Sequence, residues 1–295
     1  MPKTERWQWY VEEFSPTEMH HHALEETYHS GRTQFQSVAV VRSATFGKML
    51  IIDGDTQSSQ GDERIYHETL VHPALAAADD RRDVLILGGG EGATLREVLR
   101  CADVRTCTMV DIDGEVVALS KKYLPEWGAG AWNDKRAHVI IGDALKFLRE
   151  EEAKFGAIVS DLTEPLDDSP SHPLFNANVF RDIKKRLTDG GVYVLQASTA
   201  AFHNAALHAK MARTLRQFFQ HVSSFSTHVP AFDTEWAFLA CSDRVDVAAM
   251  EASRIDSYVS KLSGQSMFYD AETHRRLFAL PLFLRRELEK PGDTF

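Results

Sequence analysis

The stretch "DVLILGGGEGATLREVLR", residues 83–100, decides the fold. An apolar run ends in a glycine turn, and a helical pattern follows with Leu95, Val98 and Leu99 on one face. A buried strand passing through glycines into a helix is the opening unit of a parallel α/β sheet. The alternation continues downstream. Strand patterns at residues 107–113, 137–144, 155–161 and 190–198 are interspersed with helical patterns at 115–124, 176–187 and 205–219. Such alternation predicts a doubly wound sheet with helices on both faces. Two last strand patterns, 223–232 and 235–243, have no helix between them, so one of them is expected to run antiparallel.

Upstream the chain reads differently. Apolar runs at 38–41 and 49–52 flank a turn at Phe46-Gly47, and Asp53-Gly54 is a second hairpin signal. Residues 61–79 then read as helical, with Asp62 as the N-cap and Pro73 as a kink. The expected organisation is a small N-terminal β-domain, residues 1–62, ahead of a Rossmann-like α/β domain, residues 63–295.

Composition narrows the class. The chain has 295 residues, 43% hydrophobic content and a formal net charge of −10, which disfavours nucleic acid and mildly favours a cationic partner. No apolar run reaches the length of a membrane span, and the charged start lacks a secretory core. Three cysteines without metal-like spacing fit a reducing, cytoplasmic setting. The run His20-His21-His22 suggests a metal, but consecutive side chains point in different directions, so no metal site is expected.

The glycine turn carries an anomaly, Glu91. Glycine turns after strands admit negative groups to the backbone, yet here a carboxylate sits inside one. Three more acids fall at strand ends: Asp111, Asp143 and Asp161. Asp111 follows Gly88 by 23 residues, close to the spacing at which a carboxylate meets ribose hydroxyls. "GGGEG" lacks the third glycine of a dinucleotide fingerprint. With Gly88, Gly90, Asp111 and the Asp143-Ala144 pair, it reads as an adenosine pocket without a pyrophosphate; tight-turn glycines with helix-capping acids are the plainer reading. Glu91 would repel the carboxylate of S-adenosylmethionine and pair with the ammonium of a tail that has lost it. The expected co-substrate is decarboxylated S-adenosylmethionine, with no prosthetic group.

Six blocks carry a resemblance: "FGKMLIIDGDTQSSQGDERIYHETLVHPAL" (46–75), "LILGGGEGATLREVLR" (85–100), "VDIDGEVV" (110–117), "IGDALKFL" (141–148), "SDLTEPLDDSP" (160–170) and "LFNANVFRDIKKRL" (174–187). In this order they resemble the polyamine aminopropyltransferases, the spermidine synthase family. The resemblance implies a methyltransferase-like catalytic domain, a homodimer or homotetramer, and transfer of an aminopropyl group to a polyamine such as putrescine or spermidine. It also implies release of methylthioadenosine. Asp161 matches the family carboxylate at the acceptor amine, with Tyr66 beside it. A carboxylate is a weak base for an ammonium, so Asp161 is expected to orient the amine and relay its proton. Gln36, Gln57 and His67 match donor positions, His67 as a neutral acceptor sharing the ammonium with Glu91; Glu68 reads as a surface charge. Glu164, Phe232 and Trp236 fall on the acceptor side, and the 161–175 loop is expected to close over the site, with Asp167 and Asp168 read as solvated charges on it.

The chain also departs from the common pattern. Glu91 and Glu164 stand where spermidine synthases commonly carry aspartate. Residues 9–31, 228–243 and 267–289 look more like the thermospermine synthase branch. Two other readings remain open at this stage: an S-adenosylmethionine methyltransferase on the same fold, and a non-catalytic polyamine-binding protein.

Overall fold

The computed structural model describes residues 7–15, 17–165 and 169–295; Asp167 and Asp168 lie outside them. Five antiparallel strands come first: β1 (Gln8–Ser15), β2 (Glu18–Arg32), β3 (Ser37–Ser43), β4 (Gly47–Ile52) and β5 (Asp55–Ser59), paired in chain order. The β3–β4 and β4–β5 turns fall at the two predicted hairpins. The three histidines lie on β2 and diverge as alternation requires. His20 stacks on Phe14, His21 approaches Trp9, and His22 reaches Glu12.

The second sheet has seven strands. Six alternate with helices in the order β6 (Asp83–Gly88), α2 (Ala93–Leu99), β7 (Thr106–Asp111), α3 (Gly114–Tyr123), α4 (Pro125–Gly128), β8 (Ala137–Ile141), α5 (Ala144–Glu150), β9 (Phe155–Asp161), α6 (Ala177–Arg186), β10 (Leu187–Thr199), α7 (Ala206–Leu215) and β11 (His221–Val229). β12 (Thr234–Ser242) completes the sheet, whose spatial order is β11-β12-β10-β9-β6-β7-β8. β12 pairs antiparallel with β10 and with β11, because a four-residue connection leaves no room for a crossover. Helix α1 (Glu63–Ala77) precedes β6, and three short helices, α8 (Ala252–Val259), α9 (Ala271–Leu277) and α10 (Leu282–Glu289), end the chain. Sequence periodicity missed α5 and these three.

The central strands are apolar and buried along their length, as a sheet covered on both faces demands: β6 is buried from Val84 to its end, and β9 from Phe155 to Ser160. Two details of α1 differ from expectation. Asp62 does not cap α1 with its side chain. It accepts from Ser59 Oγ at 2.6 Å and from the Ala231 N–H at 2.6 Å, tying the helix start to the turn between β11 and β12. Glu68 is not a surface charge but fully buried, and accepts the backbone N–H groups of Met267, Phe268 and Tyr269 at 2.9 Å each. A carboxylate on a helix expected to face solvent had partners 199 to 201 residues away, which no local pattern reveals.

Gly88 sets the join between β6 and β9. It has φ +80°, and a Cβ there would lie 2.3 Å from the carbonyl oxygen of Asp161. The Gly89 N–H donates to that oxygen at 2.9 Å. Gly88→Ala therefore meets both a left-handed backbone and rigid main chain, and should cost roughly 3 kcal/mol or more. Urea unfolding, with the midpoint compared at equal slope, measures this.

Candidate active site

The carboxyl ends of β6, β7, β8 and β9 open into one cavity of about 280 Å³. Gln36, Gln57, Tyr66, Gly88, Gly90, Glu91, Asp111, Asp143, Ala144 and Asp161 all line it. Sheet order explains the convergence: β9, β6, β7 and β8 are neighbours, so residues at their ends lie side by side although 70 residues separate Glu91 from Asp161 in the chain.

Asp111 lies against the glycine turn. A Cβ on Gly90 would stand 2.7 Å from Asp111 Oδ2, so only glycine leaves this carboxylate its place. Asp111 Oδ1 accepts the Asp113 N–H at 2.8 Å. Burial, with Asp113 and Asp161 as like charges nearby, pushes the Asp111 carboxyl up to about 6. Asp143 is the cap of α5, accepting from the Leu145 N–H at 2.7 Å through Oδ1, and still lines the cavity. Gln36 reaches the site from the loop before β3. Its amide donates to Asp113 Oδ2 at 3.1 Å, and Thr33 Oγ1 donates to the same oxygen at 2.6 Å. Asp113 Oδ1 meanwhile caps α3, accepting the N–H groups of Glu115 and Val116. One carboxylate thus joins the first sheet to the second, a link that a cap-like "DIDG" did not disclose.

At the other end Asp161 accepts from Tyr66 Oη at 2.9 Å through Oδ1 and from Thr94 Oγ1 at 2.5 Å through Oδ2. Burial first, then the Asp161 charge, raises the Tyr66 phenol far above its usual range, so it stays a donor. Glu91 is nearly buried; Oε2 accepts from Ser58 Oγ at 2.5 Å, and Oε1 lies 2.5 Å from His67 Nε2, approached obliquely. Each carboxylate oxygen retains a lone pair for a ligand.

His67 stands beside Glu91, as expected, but it is fully buried and does not line the cavity; oxygens lie near both its ring nitrogens. Despite the desolvation cost, Glu91 and Glu63 hold its pKa well above the usual histidine value. Ligand atoms of His67, Glu91 and Asp161 lie within 4.8 Å of one another, a spacing a metal also accepts. With both imidazole nitrogens facing carboxylate or carbonyl oxygen, the group suits an ammonium held by Glu91 and Asp161.

Glu164, Phe232 and Trp236 do not line this cavity. They continue from Tyr66 on the far side: ring centroids run Tyr66 to Phe232 at 6.1 Å and Phe232 to Trp236 at 5.1 Å. Glu164 accepts from Ser198 Oγ and is raised by burial, an effect that this hydrogen bond opposes. Asp55, which sequence reasoning passed over, is pushed up to about 6 by burial and by the Glu12 and Glu164 charges. Ser58 and Thr94 were also missed; Thr94, in the first turn of α2, donates its hydroxyl to Asp161. Part of the loop after β9 walls the cavity through Thr163, Ser171 and Leu174, with Ser171 Oγ donating to Thr163 O at 2.8 Å.

Asp111 gives the site a pH dependence. A ligand hydroxyl donates to the ionised carboxylate and not to the neutral one's proton, so binding of a hydroxyl-bearing ligand at Asp111 must expel a proton below about pH 6. Methylthioadenosine affinity should rise from pH 5 to 7 and level above, and calorimetry should show proton release near pH 6. Without ligand the sign is opposite. A carboxyl raised in the folded state adds stability below its folded pKa and loses that contribution as pH rises from about 4 to 6. Asp111→Asn should flatten both slopes.

Comparison with known proteins places this geometry. Residues 63–250 match the spermine/spermidine synthase domain, and residues 8–60 the spermidine synthase tetramerisation domain. A polyamine aminopropyltransferase of Sulfolobus acidocaldarius is 43% identical over 284 residues, 96% of this chain and 94% of that protein. One from Sulfurisphaera tokodaii is 41% identical over 285 residues, with the same shares covered. Among solved structures, a spermidine synthase in complex with the transition-state analogue AdoDATO superimposes with a TM-score of 0.89 at 24% identity, covering 96% of each chain. Spermidine synthase from Thermotoga maritima gives 0.88, also at 24% identity, covering 96% and 95%. The two-sheet architecture is that of these enzymes, and the chain belongs to the spermine/spermidine synthase family of polyamine aminopropyltransferases.

Proposed function

We propose that this protein transfers the aminopropyl group of decarboxylated S-adenosylmethionine to a polyamine and releases methylthioadenosine. The observation that carries the reading is the placement of Glu91 and Asp161 at one end of a cavity whose other end holds Asp111 and Asp143. Asp111 suits the ribose hydroxyls, Asp143 and Ala144 the adenine, Gln36 and Gln57 the neutral parts of the donor. Glu91 suits the tail ammonium.

The chemistry asks for little beyond alignment. The acceptor nitrogen attacks the methylene on the sulfonium, the C–S bond breaks, and the electron pair stays on sulfur as a neutral thioether. No acid is needed for that departure. The nitrogen, now positive, sheds a proton. Asp161, fixed by Tyr66 and Thr94, orients the amine for in-line attack and takes or passes on that proton. Beyond Tyr66, the Phe232 and Trp236 rings suit methylenes, and Glu164 with Asp55 suits a further ammonium. Putrescine and spermidine both meet these demands, the latter with one more cation and a longer chain.

We place catalysis in residues 63–295 and assembly in residues 1–62, as a homodimer or homotetramer. Trp9, Val11 and Met19 are 54%, 44% and 59% exposed, and register puts them on one face of the β1–β2 hairpin. An apolar face of this kind supports association with further copies of the chain. None of the helices among the described residues is long and apolar enough to cross a membrane. The three cysteines are free and buried, which suits work in the cytoplasm.

The test is turnover followed by mass-resolved chromatography, with putrescine, spermidine, agmatine and cadaverine each offered alongside decarboxylated S-adenosylmethionine. Methylthioadenosine should appear only with that donor, and the new polyamine names the acceptor. Release of S-adenosylhomocysteine from S-adenosylmethionine would instead mark a methyltransferase. Asp161→Asn should lower kcat by roughly 10²–10⁴ with donor binding retained, and Tyr66→Phe by less. Loss of acceptor affinity alone, with no turnover in the parent protein, would favour a binding protein.

A further inference from the structure

Behind Glu91 the charges continue away from the cavity. His67 Nδ1 lies 2.6 Å from the Glu63 carbonyl oxygen and 3.1 Å from Glu63 Oε2, while Nε2 lies 2.5 Å from Glu91 Oε1. A neutral imidazole has a single N–H, so a neutral ring here would set a lone pair against an oxygen on one side. Oxygens at both ring nitrogens fit a doubly protonated ring. Glu63 is in turn gripped by the Arg96 fork, Nη1 to Oε1 at 3.0 Å and Nη2 to Oε2 at 2.7 Å. Arg96 Nη1 also donates to the carbonyl of Trp127 at 2.8 Å. The indole N–H of Trp127 donates to Ser58 Oγ at 2.9 Å, and Ser58 donates to Glu91. The contacts therefore close into a ring: Glu91, His67, Glu63, Arg96, Trp127, Ser58 and back to Glu91.

The charges continue beyond this ring. Arg96 continues to Glu97 at 2.8 Å, Glu97 to Arg100 at 2.5 Å and to His72 at 3.1 Å, and Arg100 to Glu68 at 3.4 Å. Arg64, at the rim, lies 3.7 Å from both Glu68 and Glu97. Four carboxylates (Glu63, Glu68, Glu91, Glu97) face three guanidiniums (Arg64, Arg96, Arg100) and two imidazoles (His67, His72). The other groups facing His67 are Tyr66, whose ring is 4.9 Å away, and the acids Asp62 and Asp161, which favour a protonated ring.

We propose that Glu63 and Arg96, which do not line the cavity, are positioning residues for the donor ammonium: acting through His67, they keep Glu91 turned to the cavity. The proposal rests on the aminopropyl-transfer reading for what Glu91 binds, but not for the state of His67. Removing the Glu63 charge frees His67 to lose a proton; the ring then surrenders one of its two N–H bonds, and Glu91 loses its fixed aim.

The experiment combines kinetics with nitrogen NMR of protein labelled at its histidines, His67 being assigned by comparison with His67→Gln. In the parent protein both ring nitrogens should carry protons throughout pH 6–9. In Glu63→Gln the ring should titrate within that range. The donor KM should rise roughly tenfold, the loss of about one charge-assisted contact, while acceptor KM stays nearly unchanged. That donor KM should also climb with pH where the parent is flat. Arg96→Lys keeps the charge but loses the fork, and should show the same split in smaller degree. A singly protonated His67 in the parent protein at pH 7 overturns the proposal whether or not either variant folds. So does a folded Glu63→Gln with unchanged donor KM. Absence of aminopropyl transfer by the parent would count against the functional reading alone, since the ring-nitrogen signals do not depend on turnover.

Discussion

The close approach of β6 to β9 at Gly88 is the constraint on which the site depends. Bare backbone at Gly88 lets the Asp161 carbonyl come where a Cβ would stand at 2.3 Å, and the Gly89 N–H takes that carbonyl as its partner. Two chain segments 70 residues apart are thereby fixed against each other by main chain, which has little freedom to drift. The side chains that follow, Glu91 on one segment and Asp161 on the other, inherit that precision. The glycine turn needs no phosphate to account for it. Its first glycine admits a neighbouring strand, and its third admits the Asp111 carboxylate.

Around this join the protein surrounds its charges with partners instead of leaving them to water. Asp113 takes two donors from its own helix and two from the first sheet. Glu68 takes three backbone N–H groups of the C-terminal segment. Buried ion pairs contribute little net stability against apolar replacements, yet breaking one costs several kcal/mol. Their effect is to specify one arrangement. The contacts between the two sheets and those holding the C-terminal segment thus start from α3 and α1, which also line the cavity through Val116 and Tyr66.

Much of this could be read from the chain because it rests on local pattern. The strand–glycine–helix unit, the alternating downstream elements, the antiparallel final pair and both early hairpins follow from periodicity and turn chemistry. The acids at strand ends were legible for the same reason, since a parallel sheet gathers its carboxyl ends on one side. Glu68 was misread, and for a long-range reason: it looks solvated until residues 267–269 arrive. Asp62 does stand at the N-cap, but its side chain is taken by Ser59 and Ala231. His67 does meet Glu91, while its second contact, Glu63, lies on the same helix and was passed over. The short helices α8 to α10 escaped because their apolar faces are brief and broken by prolines and turns.

The longer side chain at Glu91 has a physical consequence of its own. A glutamate swings through one more torsion than an aspartate, and in open solvent that freedom would blunt a charge-based choice between donors. Here Ser58 holds Oε2 and His67 contacts Oε1, so both oxygens are occupied from behind and the added freedom is removed before any ligand arrives. What remains for a ligand is the outward lone pairs, at a site nearly closed to water. A carboxylate fixed in that way attracts an ammonium and repels a second carboxylate with little reorganisation on either account. On the proposed reading, selectivity for a decarboxylated donor comes from a charge held still by Ser58 and His67, which do not line the cavity.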